Sequence, residues 1–294
     1  MPEPVERQER PWCTRLCAVV LQRREHRPQP LSASADSAVE DAEVGLTNRQ
    51  IAGRLFVSEH TIHRHITSVL RKLDLATRTG RCCACRARES ARLVDSMIPL
   101  VPGLEERLDE GIDAADVGAG AGHAINVLAR AFTRSCFVGY DFSDEGLRLG
   151  AAEAQAWGLQ NVRFEVRDEA NLGEQDAFDF ITAFDAIHDQ AKPQSVLKGI
   201  HDALRPGGVF LMMDEGASSR LEENIDSPLT PLLYTFSTFH CMTVSLAYGG
   251  EGLGTCWGRQ KALELLAEAG FTDVDVQTIE GDIEHYYYIA RKRA

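Results

Sequence analysis

Apolar runs of strand length alternate with helix-like segments through the C-terminal two thirds of the chain. The predicted strands are Gly111–Ala115, Cys136–Tyr140, Val162–Asp168, Phe178–Phe184, Val209–Asp214, Asp273–Ile279 and His285–Arg291. The predicted helices between them include His123–Arg130, Gln194–Leu204 and Gly258–Ala269. Strands that alternate with helices are typical of an α/β fold built on a mostly parallel sheet. The pattern therefore predicts a Rossmann-like α/β domain.

A separate helical pattern lies nearer the N-terminus. Leu46–Leu55 is predicted to form a short helix capped by Thr47, with Gln50 completing a capping box. Ser58 is predicted to cap a second helix, Glu59–Leu73. The apolar residues of that helix follow helical spacing at Ile62, Ile66, Val69, Leu70 and Leu73. The pattern predicts two helices joined by a tight turn.

The stretch Asp116–Gly122 joins the first predicted strand to the first predicted helix, and every second residue from Gly118 is glycine. Glycine lacks a Cβ, so the backbone turns sharply and approaches a ligand closely. The helix beginning at His123 adds free N–H groups and a positive dipole end. The second strand leads to Asp141, about twenty residues further on, where a ribose-binding carboxylate is typical. The spacing predicts a nucleotide-like ligand site.

These residues resemble the first motif of class I S-adenosylmethionine-dependent methyltransferases, Asp/Glu-x-Gly-x-Gly-x-Gly. The resemblance continues in Val162–Asp168 and in the turn Leu204–Phe210. It implies a seven-stranded sheet with a closing antiparallel hairpin, and S-adenosylmethionine (SAM) as cofactor. The implied cofactor-binding residues are Asp116, Gly118, Ala119, Gly120, Gly122, Asp141, Phe142, Asp168, Glu169 and Asp185. The alternative is a nucleotide-binding fold with a different ligand.

The chemistry of the methyl acceptor is expected near two further sequences. FDAIHDQ at Phe184–Gln190 and HCMTVSLA at His240–Ala247 resemble a subgroup of small-molecule methyltransferases best known from actinobacteria. The candidate catalytic residues are His188, His240 and Glu215. A neutral histidine accepts a proton at cellular pH, so His188 is predicted as a general base, with turn filling as the alternative. Residues 215–257 are predicted to form a lid over the acceptor.

The stretch from Gly45 to Leu73 resembles the LuxR-type helix-turn-helix, which implies a small all-α DNA-binding domain. In that family the second helix enters the major groove. The implied base-facing residues are His63, Arg64 and Thr67, and the implied phosphate-facing residues are Thr61, His65 and Arg71. The family usually has Lys at the position of His63. The segment before the motif is poor in large apolar residues, so an incomplete or vestigial domain is the alternative.

Charge supports a local anionic partner. The 294-residue chain has a formal charge of −13, yet Val44–Arg92 contains ten basic and three acidic residues. A basic segment on an acidic protein is typical of a phosphate-binding region. Double-stranded DNA is therefore a predicted partner, beside the small-molecule acceptor.

The eight cysteines and the lengths of the apolar runs help to predict the cellular compartment of the protein. No apolar run is long enough to span a membrane, which predicts a cytoplasmic protein with reduced thiols. Cys136 is predicted as a small buried residue of a core strand. A zinc site at Cys13, Cys17, Cys82 and Cys85 is an alternative with irregular spacing, and no metal site is predicted.

The predicted organisation has four parts. Residues 1–30 are expected to be disordered, 31–80 to form the helix-turn-helix, 81–92 a Cys/Arg-rich linker, and 93–294 the methyltransferase domain. The subgroup usually carries a winged helix where this chain has the LuxR-type element. A homodimer therefore stays an open alternative for the assembly of this protein. The predicted function is SAM-dependent methylation of a small molecule. The alternative is a DNA-binding regulator that uses the methyltransferase fold as a ligand sensor.

Overall fold

The computed structural model describes residues 92–227 and 229–293 of the chain. The predicted helix-turn-helix lies outside these residues, as do its DNA-binding candidates Thr61, His63, Arg64, His65, Thr67 and Arg71. The fold below is that of the described part alone.

Strands and helices alternate along the described chain. The strands are β1 (Asp113–Val117), β2 (Cys136–Asp141), β3 (Val162–Val166), β4 (Phe178–Phe184), β5 (Leu204–Glu215), β6 (Asp273–Gln277) and β7 (His285–Arg291). The α-helices are α1 (Leu104–Glu110), α2 (His123–Ala131), α3 (Asp144–Trp157), α4 (Pro193–Ala203), α5 (Leu221–Asn224), α6 (Thr230–Phe236), α7 (Met242–Ala247) and α8 (Gly258–Ala269). Single π turns lie at Leu93–Met97 and Ser237–Cys241, and 3₁₀ turns at Ile98–Leu100, Glu169–Asn171 and Thr255–Trp257.

Local sequence explains where the helices begin and end. Ser143 precedes α3, and its side chain accepts a hydrogen bond from the Gly146 N–H, which satisfies one free donor of the first turn. Gly158 ends the same helix in the left-handed conformation, where a side chain would be strained. Pro193 begins α4, where its missing N–H costs no helical hydrogen bond.

The seven strands form one sheet in the order β3-β2-β1-β4-β5-β7-β6. The first five strands run parallel, and β7 is antiparallel to both β5 and β6. The strand order reverses between β1 and β4, and ligands bind α/β sheets outside the carboxyl ends of the strands at such a point. The predicted Rossmann-like sheet with a closing antiparallel hairpin is confirmed.

Alternate residues of β5 divide between two hydrophobic cores. Phe210 and Met212 belong to the core that includes residues of α4 and α8. Val209, Leu211 and Met213 belong to the opposite core, which includes residues of α1 and α2. This alternation follows from the two-residue period of a strand. The sheet is therefore buried on both faces.

Several strand boundaries and the burial of one cysteine differ from the sequence prediction. β1 begins at Asp113 because Gly111 ends α1 with φ of 111°. β3 ends at Val166 because Asp168 caps the following 3₁₀ turn. β5 begins earlier than predicted, at Leu204, with an irregularity in its pairing to β4. Cys136 is exposed rather than buried, because it is the first residue of β2, at the sheet's amino edge.

We expect Gly122→Ala to destabilise the domain by about 1–3 kcal/mol, because a side chain there adopts a strained left-handed conformation. Gly122 has φ of 67°, and a Cβ would lie 2.4 Å from the Phe164 ring. Gly158→Ala is the matched control, since φ is 69° and a Cβ would meet nothing within 4 Å. Urea denaturation measures both variants. An equal loss in the two would refute the packing against Phe164.

Candidate functional site

The glycine turn between β1 and α2 depends on residues without a Cβ. Gly118, Gly120 and Gly122 all have positive φ, at 76°, 54° and 67°. A Cβ on Gly118 would lie 2.5 Å from the Cβ of Ala186, in the loop that follows β4. The turn therefore packs directly against the carboxyl end of β4, at the point where the strand order reverses.

Asp141 at the end of β2 holds this turn in place. Its Oδ2 accepts a hydrogen bond of 2.7 Å from the Gly120 N–H. Its Oδ1 accepts one of 2.8 Å from the Ser143 N–H, at the start of α3. Asp141 is 6% exposed, so the carboxylate is fixed between the turn and α3. The turn thus contains its own anion, bonded to a backbone N–H that an external anion would otherwise use.

Two further acidic side chains lie next to the turn. Asp116 in β1 is buried and accepts a 2.8 Å hydrogen bond from the Thr182 hydroxyl, and burial raises its pKa to about 7. Glu169 is also buried, accepts a hydrogen bond from the Phe142 N–H, and has a pKa raised to about 7 by burial. The region of the turn is therefore acidic.

The other predicted cofactor residues are more open. Phe142 is 54% exposed directly after Asp141, and its ring meets the ring of Tyr248 at 5.8 Å. Asp168 is exposed, and its Oδ1 accepts a hydrogen bond from the Ala170 N–H. Phe142 and Asp168 therefore lie at the rim of the acidic region.

A buried carboxylate at the carboxyl end of β5 organises a second cluster. Oδ1 of Asp214 is 2.8 Å from Nδ1 of His188. The same oxygen accepts hydrogen bonds of 2.9 Å from the Trp257 ring N–H and from the Glu215 N–H. Asp214 is fully buried and His188 is 3% exposed. These contacts fix the orientation of the imidazole and leave Nε2 directed away from Asp214.

The predicted role of His188 as a general base stays a prediction, and the structure shows which groups perturb its pKa. Burial lowers the pKa of His188, but the charge and hydrogen bond of Asp214 raise it further, to well above its usual value. The Cys241 thiol and Asp189 also raise this pKa. These contacts therefore favour the protonated form of the imidazole.

A third cluster at the same edge contains a histidine that sequence reasoning missed. Asp185, Glu215 and His285 place donor atoms within 4.8 Å of one another. Burial and Asp185 raise the pKa of Glu215 to about 8. Burial lowers the pKa of His285, but the hydrogen bond to Asp282 and the charges of Asp185, Asp282 and Glu215 together raise it to about 9. Glu215 and His285 are direct partners in the β5–β7 register. The antiparallel pairing of β5 with β7 is the information that would have identified His285, and the sequence patterns do not specify it.

The lid residues are tied to the loop after β4. The Ser245 hydroxyl donates to the Gln190 carbonyl at 2.9 Å. The Gly254 N–H donates to the His188 carbonyl, and the Glu251 N–H to the Ala191 carbonyl. His240 belongs to the turn Ser237–Cys241, but its side chain lies outside the described residues. Its predicted catalytic role stays a prediction.

Comparison with known proteins gives two family matches. A family described as "Methyltransferase domain" matches residues 108–270, and one described as "Bacterial regulatory proteins, luxR family" matches residues 39–83. The two resemblances seen in the sequence are confirmed. The second match lies outside the described residues, so it concerns the sequence of that segment alone.

Individual relatives match over shorter stretches. The uncharacterized methyltransferase YcgJ of Bacillus subtilis is 31% identical over 103 residues, which cover 35% of this chain and 40% of that protein. A nitrate/nitrite response regulator protein homolog of Haemophilus influenzae is 39% identical over 64 residues, 21% of this chain and 31% of that one. The chain thus spans less than half the length of either relative.

The structure of an O-methyltransferase family protein from Burkholderia thailandensis shares the fold. It aligns with a TM-score of 0.51 and 13% identity, covering 96% of this chain and 98% of that one. As for membranes, none of the helices in residues 92–227 and 229–293 has the length and apolar character needed to cross a bilayer.

We expect His285 to make stability pH-dependent. With a folded pKa of about 9, its contribution is complete below the unfolded value of about 6.5 and is lost as pH rises through 9. His285→Gln should remove this loss of roughly 1–3 kcal/mol, because the group that titrates beside Asp282 is gone. Urea denaturation across this pH range measures it.

Glu215, whose pKa is about 8, titrates in an overlapping range, so both proteins should carry Glu215→Gln. Asp185 and Asp282 also face His285, and Arg92 and Tyr287 contact Asp282. Parallel stability profiles for the two proteins between pH 6.5 and 9 would contradict the raised pKa of His285.

Proposed function

Because the chain belongs to the methyltransferase-domain family, we propose that it transfers the methyl group of SAM to a small acceptor molecule. The observation that carries the proposal is the acidic glycine turn. The Asp141 carboxylate already accepts the hydrogen bond of the Gly120 N–H, and Asp116 and Glu169 lie next to the turn. This arrangement disfavours a pyrophosphate, which carries the same sign of charge. It suits a ligand with a sulfonium and an ammonium group.

The residues fit this cofactor through shape as well as charge. Gly118 packs against Ala186 with no room for a Cβ, and Gly120 presents open space on its Cβ side. The cradle is therefore formed by backbone. We assign the methionine part to Asp116, Gly118, Ala119, Gly120 and Gly122, the ribose to Asp141, and the adenine region to Phe142, Asp168 and Glu169. Asp185 would border the donor from the β4 loop.

The remaining task of the protein is to position and deprotonate the acceptor. SAM supplies a methyl group on an already activated sulfonium, so positioning contributes much of the rate. Ala186 touches the glycine turn, and its neighbour Asp185 lies close to Glu215 and His285, which supports a role for these three residues next to the proposed donor site. With its pKa raised to about 8, Glu215 is ionised in a minority of molecules at neutral pH, and it joins His188 as a candidate proton acceptor.

The rival function is a DNA-binding regulator that senses a ligand with this fold. The luxR-family match at residues 39–83 favours a DNA-binding segment beside the methyltransferase domain. The two functions are compatible in one chain, and both include cofactor binding. Turnover to S-adenosylhomocysteine in the presence of candidate acceptors distinguishes catalysis from sensing alone.

Asp141→Ala should weaken SAM binding by about 1–3 kcal/mol, or about 5–150-fold, because charged hydrogen-bond partners are lost. The variant also frees the Gly120 and Ser143 N–H groups, so thermal melting should accompany calorimetric titration. Asp144→Ala removes an exposed carboxylate in the next helix and should bind normally. Unchanged affinity in a folded Asp141→Ala protein would overturn the cofactor assignment.

If the luxR-family segment binds duplex DNA, affinity should fall steeply with salt as counterions are released. Arg64→Ala should reduce discrimination between sequences, whereas Arg71→Ala should weaken binding to all sequences alike. Fluorescence anisotropy measures both variants.

Arg163→Ala, an exposed arginine of β3, serves as the control and should leave DNA affinity unchanged. Failure of the full chain to bind any duplex at low salt would favour a vestigial domain.

A further inference from the structure

Three donor atoms of different chemistry meet beside the buried carboxylate of Asp214. His188 offers Nε2, Asp189 a carboxylate oxygen and Cys241 its thiol, and these atoms lie within 4.8 Å of one another. His188 and Cys241 are at most 5% exposed. His188 and Asp189 come from the loop after β4, and Cys241 from the lid. The three residues therefore join two segments that are distant in sequence.

The spacing of the donors suits a shared metal ion. Nε2 of His188 and Oδ1 of Asp189 are 3.3 Å apart. This Oδ1 is buried and makes no hydrogen bond. With metal–ligand bonds of about 2.0–2.2 Å, two ligands of a tetrahedral zinc ion lie roughly 3.3–3.6 Å apart. An ion bonded to both atoms would give this buried oxygen a direct bond in place of its 3.3 Å contact with the His188 ring.

Neighbouring groups hold the ligands as they do in known metal sites. A metal-binding histidine almost always donates its other ring N–H to a carboxylate or carbonyl, which fixes the tautomer. Nδ1 of His188 has such a partner in Asp214, at 2.8 Å. The thiol of Cys241 accepts a 2.9 Å hydrogen bond from the Thr255 hydroxyl, which stabilises a thiolate. Asp214 is in turn fixed by Trp257.

The geometry points to a binding site for a divalent transition-metal ion, most suitably Zn²⁺, formed by His188, Asp189 and Cys241. A thiolate with an imidazole and a carboxylate suits zinc, whereas Mg²⁺ and Ca²⁺ take oxygen ligands. Three protein ligands leave one tetrahedral position open, which is the arrangement of catalytic rather than structural zinc. The site is independent of the proposed methyl transfer, because its evidence is the donor set alone.

Cobalt titration of the full chain tests the site. Cys13, Cys17, Cys82, Cys83 and Cys85 are first replaced by serine, so that the thiols outside the described residues do not bind the probe. The metal-free protein is then titrated with Co²⁺. We expect one equivalent to bind with a thiolate-to-cobalt band in the near ultraviolet and intense visible bands of a four-coordinate ion. Excess Zn²⁺ should abolish these bands.

Single variants in that background identify the ligands. Cys241→Ser should lose the thiolate band. Asp189→Asn should keep the band but bind Co²⁺ more weakly, and it is the milder change should Cys241→Ser fail to fold. Asp214→Asn should weaken Co²⁺ binding about 10–100-fold through the orientation of His188. Thermal melting of the metal-free proteins separates loss of binding from loss of fold.

Two matched controls should bind Co²⁺ with the affinity and the absorption bands of the parent protein. Cys256→Ser removes a nearby thiol that is not a proposed ligand, and His285→Gln alters the other carboxylate–histidine cluster, which has no thiol. The site is overturned by any of three results: no thiolate band in the parent protein, a band that persists in Cys241→Ser, or unchanged Co²⁺ affinity in Asp189→Asn. None of these results bears on methyl transfer, since no donor or acceptor is present.

Discussion

The fully buried carboxylate of Asp214 is the interaction on which the carboxyl edge of the sheet depends. Burying an ionised carboxylate costs several kcal/mol unless partners compensate it. Oδ1 of Asp214 has three partners, the His188 ring, the Trp257 ring and the Glu215 backbone. They come from the β4 loop, the start of α8 and β5 itself. Satisfying one charge therefore brings three segments together, and the candidate site is built around them.

The glycine turn combines a backbone conformation that is typical of phosphate-binding loops with acidic side chains beside it. A helix N-terminus after a strand and a glycine turn ordinarily attracts a phosphate. Here Asp141 reaches back from β2 and occupies the Gly120 N–H. The parallel register that places β2 beside β1 makes this contact possible, because Val117 pairs with Tyr140 and Asp141 follows directly. The backbone conformation of the turn is therefore the one that suits a phosphate, whereas the side chain beside it is a carboxylate.

The sequence predicted the parts of this structure that depend on local patterns. β4, β7 and α8 have the predicted bounds, since each is a continuous run with clear flanking signals. The glycine turn followed from composition and spacing in the same way. Asp214 was predicted only as the end of a strand, and its role depends on Trp257, 43 residues away. The pKa of His188 likewise depends on its burial and on the charge of Asp214 rather than on any local pattern.

The long-range pairing of strands explains why the sequence patterns did not identify His285 and predicted Cys136 as buried. His285 meets Glu215 only because β7 inserts between β5 and β6 in antiparallel register, which a strand prediction does not specify. The exposure of Cys136 likewise depends on where the sheet ends rather than on its apolar neighbours. Both concern which residues lie at an edge of the sheet, and the edges are where the chemistry of this fold takes place.

The loop after β4 links the donor side of the site to the lid. On one side Ala186 touches Gly118 of the glycine turn. On the other side Gly250 of the lid lies so near Ala191 that a Cβ would come within 2.4 Å of its Cα. The carbonyls of His188, Gln190 and Ala191 each accept a hydrogen bond from the lid. Close packing on both sides leaves the loop little freedom to move alone. Asp185 and His188 therefore lie in a segment whose position is set by the glycine turn on one side and by residues 245–254 on the other.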